Sequence, residues 1–261
     1  MIVNNLKLVW SDEFDKPIDK TLWGVYTREY GEESPYNNVF LKDNKLYIGR
    51  KRHDPDNDLW DSEFNTKRSL YFKYGYLEIK AKLARCPGSF SAFWLNSAGL
   101  PFDRLPEIDI YENFGNNDRL AHNLHRWWYD KDEKGNKIYT EKHCHHDQFA
   151  MQTEWQLRNT WLPEGETFCD KFHRIGLHWT PERMDFYVDG HCDVSIDITG
   201  EYFKDFHQPM YIILSHGVDK TTPDGITPTD DPSYDIFEYI RLYQDEKGVL
   251  QDKRKGEIVL D

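Results

Sequence analysis

Short segments in which apolar and polar residues alternate recur along the whole chain. This period of two is typical of a β-strand with one buried face, and it occurs in residues 46–49, 76–83 and 184–188. Residues 210–214 and 237–243 are more continuously apolar and fit strands that pack on both faces. Turn-forming Gly, Pro, Asn and Asp residues separate the segments. The pattern therefore predicts a chain built largely from strands joined by tight turns.

Strand follows strand with few helical stretches, which favours an all-β sandwich of two antiparallel sheets. No internal repeat, low-complexity tract or interdomain linker interrupts the order, so residues 1–261 are predicted to form a single domain. Residues 130–170 are the exception, because they are polar, rich in His and longer than an ordinary connection, with a short helix predicted in 149–161. The charged tail, 245–261, is expected to lie on the surface.

Charge limits the classes of partner. The chain has 33 Lys and Arg against 46 Asp and Glu, a formal net charge of −13. Such an acidic protein repels a phosphate backbone and an anionic membrane surface, so neither nucleic acid nor a membrane is a predicted partner. No apolar run approaches the roughly 20 residues of a spanning helix. Aromatic residues make up 15% of the chain, and those not used in a core would suit the apolar faces of sugar rings.

The most informative segment is residues 106–113, Pro-Glu-Ile-Asp-Ile-Tyr-Glu-Asn. In a regular strand Glu107 and Asp109 share one face. Glu112 lies five positions from Glu107, so a regular strand would turn it to the opposite face. One bulge between Asp109 and Glu112 would restore the parity and direct all three carboxylates to the same side.

Three carboxylates on one face suit the chemistry of retaining glycosidases. These enzymes place two carboxyl groups about 5–5.5 Å apart, one to attack the anomeric carbon and one to protonate the leaving oxygen. Like-charge proximity raises the pKa of the acid, which then holds a proton near neutrality. The alternative is an acidic strand that merely prevents edge-to-edge pairing of sheets. The spacing alone favours the two interpretations equally.

The surrounding sequence resembles glycoside hydrolase family 16, the family of laminarinases, lichenases, agarases and carrageenases. The family signature Glu-x-Asp-x-x-Glu is similar to the segment from Glu107 to Glu112. Other segments that resemble the family follow in its order along the chain: 9–15 with Trp23, 74–83, 91–95, 172–181, 186–190 and 239–243. Several motifs in order are more specific than any one alone.

The resemblance implies a β-jelly roll whose concave sheet forms an open cleft. It also implies a retaining, endo-acting glycoside hydrolase in which Glu107 is the nucleophile, Asp109 its helper and Glu112 the general acid/base. The residues expected to bind substrate are Asn38, Trp94, His125 and Trp128. The alternatives are a core position for Trp94 and a hydrogen-bonded structural role for His125.

The first substrate hypothesis is a β-1,3 or mixed β-1,3/1,4-glucan. The second keeps the chemistry on a galactan, namely agar, porphyran, carrageenan or a host O-glycan, and is motivated by departures from the laminarinase pattern around Phe90, 126–128 and 215–216. A third hypothesis, of another class, is a carbohydrate-binding protein that has lost catalysis. The intact carboxylate trio argues against that third hypothesis.

No metal site and no required cofactor are predicted. Residues 143–147, His-Cys-His-His-Asp, contain zinc-type ligands, but adjacent residues of one loop rarely converge on one ion. A structural calcium ion, which some family members bind, would use carboxylates such as Asp12 and Glu238. A disulfide between Cys144 and Cys169 is an open alternative in an oxidising medium.

The remaining expectations concern the surface and the setting of the protein. The basic residues 50–52 and 67–68 would either contact sulfate or carboxylate groups of a charged glycan or form a solvated surface, and the second is slightly favoured. The expected partner is a polysaccharide, and the chain is expected to be a monomer. An extracellular or periplasmic location is expected, although the sequence does not begin with a secretory signal.

Overall fold

A computed structural model describes residues 5–27, 39–50, 62–85, 89–97, 104–113, 118–138, 140–150, 162–218 and 233–257. The strands, in chain order, are β1 (Lys7–Asp12), β2 (Gly24–Thr27), β3 (Val39–Lys42), β4 (Lys45–Arg50), β5 (Ser62–Asn65), β6 (Leu70–Lys73), β7 (Gly75–Lys82), β8 (Ser89–Ser97), β9 (Arg104–Asn113), β10 (Ala121–Tyr129), β11 (Cys144–Ala150), β12 (His173–Trp179), β13 (Arg183–Val188), β14 (His191–Asp197), β15 (Met210–Val218), β16 (Ser233–Gln244) and β17 (Val249–Asp252). Short 3₁₀ turns occupy Glu141–His143, Glu201–Phe206 and Lys253–Lys255.

The described strands form two sheets. An eight-stranded sheet has the order β14-β13-β12-β7-β16-β4-β3, with β1 also paired to β16. A nine-stranded sheet has the order β11-β10-β9-β8-β15-β5-β2, with β6 paired to β15 and β17 paired to β6. Every described pairing between strands is antiparallel. The predicted antiparallel two-sheet sandwich is therefore confirmed.

The main core lies between the two sheets. Alternate residues of the strands point inward, for example Ile79 and Leu177 from the eight-stranded sheet and Phe93 and Ile108 from the nine-stranded sheet. Strand β15 packs on both faces, as its continuous apolar sequence predicts. Its Ile212 belongs to the main core, whereas its neighbours on either side join a small apolar cluster on the other face of the sheet. That face, which points away from the eight-stranded sheet, is called the outer face below.

The long polar excursion contains a strand that the sequence analysis missed. Strand β11 pairs along its whole length with β10 and extends the nine-stranded sheet by one strand at that edge. Its sequence, Cys-His-His-Asp-Gln-Phe-Ala, has too little apolar alternation to be recognised as a strand. Phe149, the first residue of the predicted helix, lies in this strand, and residues 151–161 lie outside the described part of the chain.

The tail also contributes to the sheet. Strand β17 pairs with β6, and Gln251 and Asp252 are buried, so this part of the predicted surface tail belongs to the body of the fold. The open question of a disulfide is also answered, because Cys144, Cys169 and Cys192 are free thiols. Cys169 is buried, and its thiol donates to the backbone carbonyl of Ala84 at 3.3 Å. Within the described residues no helix is long and apolar enough to cross a membrane.

Candidate active site

A bulge in β9 brings three carboxylates to the outer face. The register between β8 and β9 slips by one residue next to Asp109, and the register between β9 and β10 slips at the same place. Ile110 and Tyr111, which form the bulge, are both buried in the main core. As a consequence Glu107, Asp109 and Glu112 point to the same side of the sheet, and the bulge predicted from their spacing is confirmed.

Each carboxylate of this trio contacts a polar side chain from a neighbouring strand. The contacts are Asn96 Nδ2 to Glu107 Oε2 (3.1 Å), His125 Nε2 to Asp109 Oδ2 (3.1 Å), and Asn123 Nδ2 to Glu112 Oε2. The indole of Trp127 also donates a hydrogen bond to Glu107. Strands β8 and β10, which flank β9, therefore hold the three acids in fixed positions.

Burial and mutual repulsion favour the protonated forms of these acids. Burial, followed by the charge of Asp109, raises the pKa of Glu107 to about 8. Burial, followed by the charge of Glu112, raises the pKa of Asp109 well above its usual range, and burial also raises the pKa of Glu112. Such a cluster holds protons near neutral pH, which is what a group that protonates a leaving oxygen requires.

Three stacked rings border the trio on the β11 side. His125 Nδ1 lies 2.6 Å from His146 Nε2, and the His146 ring stacks on Trp127 with centroids 4.0 Å apart. The two imidazoles share this hydrogen bond, and the other ring nitrogen of His125, Nε2, lies 3.1 Å from Asp109 Oδ2. Burial, followed by the charge of His125, lowers the pKa of His146, which favours its neutral form.

The predicted binding residues are distributed unevenly. Trp94 lies on the outer face opposite Asp109 in β9, and its Nε1 donates to Ser215 Oγ at 3.1 Å. His125 lies beside the trio as described. Asn38 lies outside the described residues.

Trp128 is not brought to the trio. Strand alternation sends Asn123, His125 and Trp127 to the outer face and Trp128 to the opposite one. There its ring stacks on His145, with centroids 5.6 Å apart, and lies under the guanidinium of Arg104 at 4.8 Å. Trp127, the other member of the Trp pair, is the one that contacts Glu107, and substrate binding by Trp128 stays a prediction.

Four residues around the trio were not predicted: Asn96, Asn123, Trp127 and His146. The first three could have been found by alternation. Asn96 is two positions from Trp94, and Asn123 and Trp127 are each two positions from His125, so they share a face with residues that were predicted. His146 carried no such signal, since its strand was not recognised.

The zinc-type ligands of residues 143–147 separate along β11. His143 and His145 both contact Asp130, at 3.0 and 2.7 Å, whereas Asp147 pairs with Arg126 at 2.6 Å. Among the described residues, one group of metal-type ligands has its atoms within 4.8 Å of one another, namely Glu107, Asp109 and His125.

The two acids considered for calcium make other contacts. Asp12 accepts hydrogen bonds from the backbone N–H of Phe14 and the indole of Trp23, at 2.9 and 2.8 Å. Glu238 pairs with Lys80 at 2.5 Å. A structural calcium ion remains a prediction.

The sequence matches a family model described as "Beta-porphyranase A-D, GH16 domain" over residues 6–243. It is also similar to the glucan endo-1,3-β-glucosidase A1 of Niallia circulans, with 23% identity over 94% of this chain and 39% of that protein. The β-agarase AgaA of Microbulbifer thermotolerans is 27% identical over 78% of this chain and 48% of that protein. The chain thus spans less than half the length of these two relatives.

The fold is similar to solved structures. One is the catalytic domain of an endo-1,3-β-glucanase (laminarinase) from Thermotoga petrophila RKU-1, which matches with a TM-score of 0.66 and 23% identity. The match covers 92% of this chain and 98% of that one. It supports the jelly-roll arrangement of the two sheets.

Proposed function

The chain belongs to glycoside hydrolase family 16, and from this premise we propose that it is a retaining endo-β-glycanase that hydrolyses internal bonds of a polysaccharide. The observation that carries the proposal is the trio of Glu107, Asp109 and Glu112 on one face of β9, with every pKa raised. The proposal treats residues 1–261 as one catalytic domain.

In the proposed mechanism Glu107 attacks the anomeric carbon while Glu112 protonates the departing oxygen. Glu107 is assigned as the nucleophile. The amide of Asn96 and the indole of Trp127 both donate to it and oppose the rise in its pKa that burial causes. Glu112 then takes a proton from water, which attacks the glycosyl ester and regenerates Glu107. Asp109, whose Oδ2 lies 3.1 Å from His125 Nε2, is assigned as the helper of the nucleophile Glu107.

The first candidate substrate is a β-1,3 or mixed β-1,3/1,4-glucan, which the similarity to a glucan endo-1,3-β-glucosidase supports. The second candidate is a galactan. It is favoured by the description of the matching family model and by the similarity to a β-agarase. Both candidates are large polymers, so the proposal includes an extracellular or periplasmic site of action and a monomeric enzyme.

The test is the release of reducing ends from laminarin, barley β-glucan, agarose, porphyran and κ-carrageenan. Glu107→Gln and Glu112→Gln should each lose turnover by at least about 1,000-fold, because each removes one of the two groups that the reaction requires. The matched control is Glu133→Gln, an exposed acid on the β10–β11 connection, which should act at the wild-type rate.

Proton NMR of the first product formed would show the β-anomer if the configuration is retained. An α-anomer would contradict the retaining mechanism but not the proposed glycanase activity. If wild-type protein binds a polysaccharide but releases no new ends after long incubation, the proposal fails in favour of a carbohydrate-binding protein.

A further inference from the structure

A buried histidine lies directly behind the bulge that carries Glu112. His122 of β10 lies opposite the two bulge residues of β9, Ile110 and Tyr111. Its side chain is on the core side of the sheet, is 1% exposed, and packs against Phe186 of the other sheet with ring centroids 4.9 Å apart. No step of the proposed reaction uses this histidine.

Both ring nitrogens of His122 face an acceptor. Nδ1 lies 2.6 Å from the backbone carbonyl oxygen of Ile110, and Nε2 lies 3.1 Å from Asp193 Oδ2. A carbonyl oxygen can only accept, so Nδ1 carries a proton and donates a hydrogen bond to the bulge. A bulge interrupts the regular pairing of backbone groups between two strands, and the imidazole provides a donor at that place.

Asp193 comes from the other sheet and from a bulge of its own. In the pairing of β13 with β14 the register slips between Phe186 and Tyr187, and Asp193 is the extra residue of β14. Its side chain is 12% exposed and contacts the ring of His122, which is fully buried. The eight-stranded sheet therefore holds the imidazole that contacts the bulge in the nine-stranded sheet.

The next residue of β10 contacts the acid itself. Asn123 turns to the outer face, where its amide donates to Glu112 Oε2 and its carbonyl oxygen accepts from Gln148 Nε2 at 3.1 Å. Burial raises the pKa of Glu112, while this amide and the charges of His125 and His122 lower it. Two adjacent residues of β10 thus act on Glu112 from the two faces of the sheet, one through the bulge and the other by direct contact.

We propose that His122, held by Asp193, is a positioning residue that fixes the bulge of β9 and with it the place of Glu112 on the outer face. The effect on catalysis rests on the proposed function, whereas the effect on the bulge needs no substrate. Loss of the donor at Nδ1 would let residues 110–112 shift. Misplacement of a reacting group by about 1 Å can cost about 100-fold in rate.

Two substitutions separate the two contacts of the ring. The side-chain amide of Asn lies where Nδ1 of His lies, and that of Gln lies where Nε2 lies. His122→Asn therefore keeps a donor to Ile110 and loses the contact with Asp193. His122→Gln keeps the contact with Asp193 and loses the donor to Ile110. A third variant, Asp193→Ala, removes the support of the ring and leaves the ring in place.

The matched control is a second buried histidine with the same kinds of partner. His173 of β12 is 1% exposed, and its ring nitrogens lie 2.7 Å from Asp189 Oδ2 and 3.4 Å from the carbonyl oxygen of Thr167. It belongs to the eight-stranded sheet. His173→Gln also loses the contact of Nδ1, but it leaves the hydrogen bond to the bulge in place.

Hydrogen exchange of the peptide that covers residues 107–113 measures the bulge without a substrate. We expect exchange there to be about tenfold faster than in wild type for His122→Gln and about threefold faster for Asp193→Ala, because the donor or its support is lost. In His122→Asn and His173→Gln this peptide should exchange within about twofold of the wild-type rate.

Turnover is measured on the polysaccharide that wild type cleaves fastest, at a temperature where every variant is folded. We expect kcat to fall about tenfold in His122→Gln and about threefold in Asp193→Ala. KM should change less than about twofold, since His122 lies on the side of the sheet away from the substrate. His122→Asn should retain most of kcat. The double variant should lose no more than His122→Gln alone, because Asp193 acts through His122.

Wild-type exchange of residues 107–113 in both His122→Gln and Asp193→Ala would overturn the proposal. So would equal losses of kcat in His122→Gln and His173→Gln, which would indicate a general loss of stability. If His122→Gln does not fold, Asp193→Ala decides by both measurements. A wild type that releases no ends from any polysaccharide would overturn the proposed function instead, and the exchange rates would still decide whether His122 fixes the bulge.

Discussion

The protonation of Glu107 connects the stability of the fold to pH. Its usual pKa is 4.5, and burial beside Asp109 raises this to about 8 in the folded chain. The folded state therefore binds a proton that the unfolded state releases between these pH values. The stabilisation from this proton is complete below about pH 4.5 and is lost as the pH rises to about 8.

The first prediction follows from this loss of stabilisation with rising pH. Glu107→Gln carries a neutral group at every pH, so its stability relative to wild type should rise from about pH 4.5 to about pH 8 and then level off. Thermal unfolding at pH 4, 6 and 8.5 measures the difference, with Glu133→Gln as the exposed control. A difference in Tm between Glu107→Gln and wild type that is the same at all three pH values would contradict the raised pKa.

The second prediction concerns His146, which positions His125 without touching the acids itself. His146→Phe keeps a stacked ring but removes the hydrogen bond to His125 Nδ1, so the ring of His125 loses the contact that orients it beside Asp109. We expect kcat to fall about 3- to 10-fold with little change in KM, the value of one neutral hydrogen bond. His146→Gln retains a donor and should recover most of the loss.

Profiles of kcat/KM against pH for both variants provide the measurement. In His146→Phe the alkaline limb should move, because the pKa values of the trio depend on the orientation of His125. If the Phe and Gln variants have identical profiles, the hydrogen bond has no positioning role.

The shared face of Glu107, Asp109 and Glu112 could be predicted from the sequence, because strand parity and the order of the family motifs act on residues close together in the chain. Trp127 and Trp128 show the limit of this reasoning. Both are aromatic and adjacent, and only the face of β10 on which each lies distinguishes them. Applying alternation from His125 would have selected Trp127. His146 required knowledge that β11 pairs with β10, a contact that no local pattern in its sequence indicates.

At the scale of elements, the bulge in β9 determines the face on which Glu112 lies. It places Ile110 and Tyr111 together in the core and turns Glu112 outward. Bulges of this kind insert one residue into one strand and reverse the alternation beyond it. The bulge could be predicted from the sequence. Glu107 and Glu112 are separated by an odd number of positions, and a bulge is one of few ways to place both acids on one face of a strand.

The third prediction is that deletion of Ile110 removes the bulge and keeps Glu112 on the outer face, because Tyr111 alone then separates Asp109 from Glu112 and the strand alternates regularly. The loss of one buried core side chain should lower the free energy of unfolding by several kcal/mol, and hydrolysis should be retained. Ile110→Val keeps the bulge and should cost about 0.5–1.5 kcal/mol with activity retained. Urea unfolding and release of reducing ends are the measurements. A deletion variant that folds but releases no reducing ends would contradict this expectation.

At the scale of the whole molecule, a fully buried pair connects the two sheets. His216 of β15 contacts Asp235 of β16 at 2.8 Å, with both side chains fully buried. Asp235 also accepts the backbone N–H of Ala84 at 2.8 Å. The pair therefore connects the sheet that carries the active site to the one that supports it.

The fourth prediction is a strong, non-additive loss of stability at this pair. Either His216→Ala or Asp235→Ala leaves a buried polar group without its partner and should cost about 3–5 kcal/mol. The double variant should cost clearly less than the sum of the two, because both partners are removed together. Denaturant unfolding of the four proteins measures the coupling. Strict additivity would mean that the two groups do not interact.

The sandwich could be predicted from alternation, yet its strand order could not. Strand β16 pairs with β7 and β4, and β15 pairs with β8, contacts that join residues more than a hundred positions apart. Such pairings depend on which faces fit together after collapse, and local patterns do not specify them. The free thiols of Cys144 and Cys169 illustrate the same limit. Both residues lie in or next to the long polar segment 130–170, but nearness in sequence does not bring their side chains together.

The stacked rings beside the active site have an optical consequence. The indole of Trp127 lies 4.0 Å from the His146 imidazole, with the planes inclined by 21°. A protonated imidazole at this distance accepts an electron from the excited indole and quenches its fluorescence. Burial lowers the pKa of His146 below its usual 6.5, so the emission of Trp127 should dim only in mildly acidic solution. The difference in fluorescence between wild type and Trp127→Phe would then report, in the working enzyme, when the histidine next to the catalytic acids gains its proton.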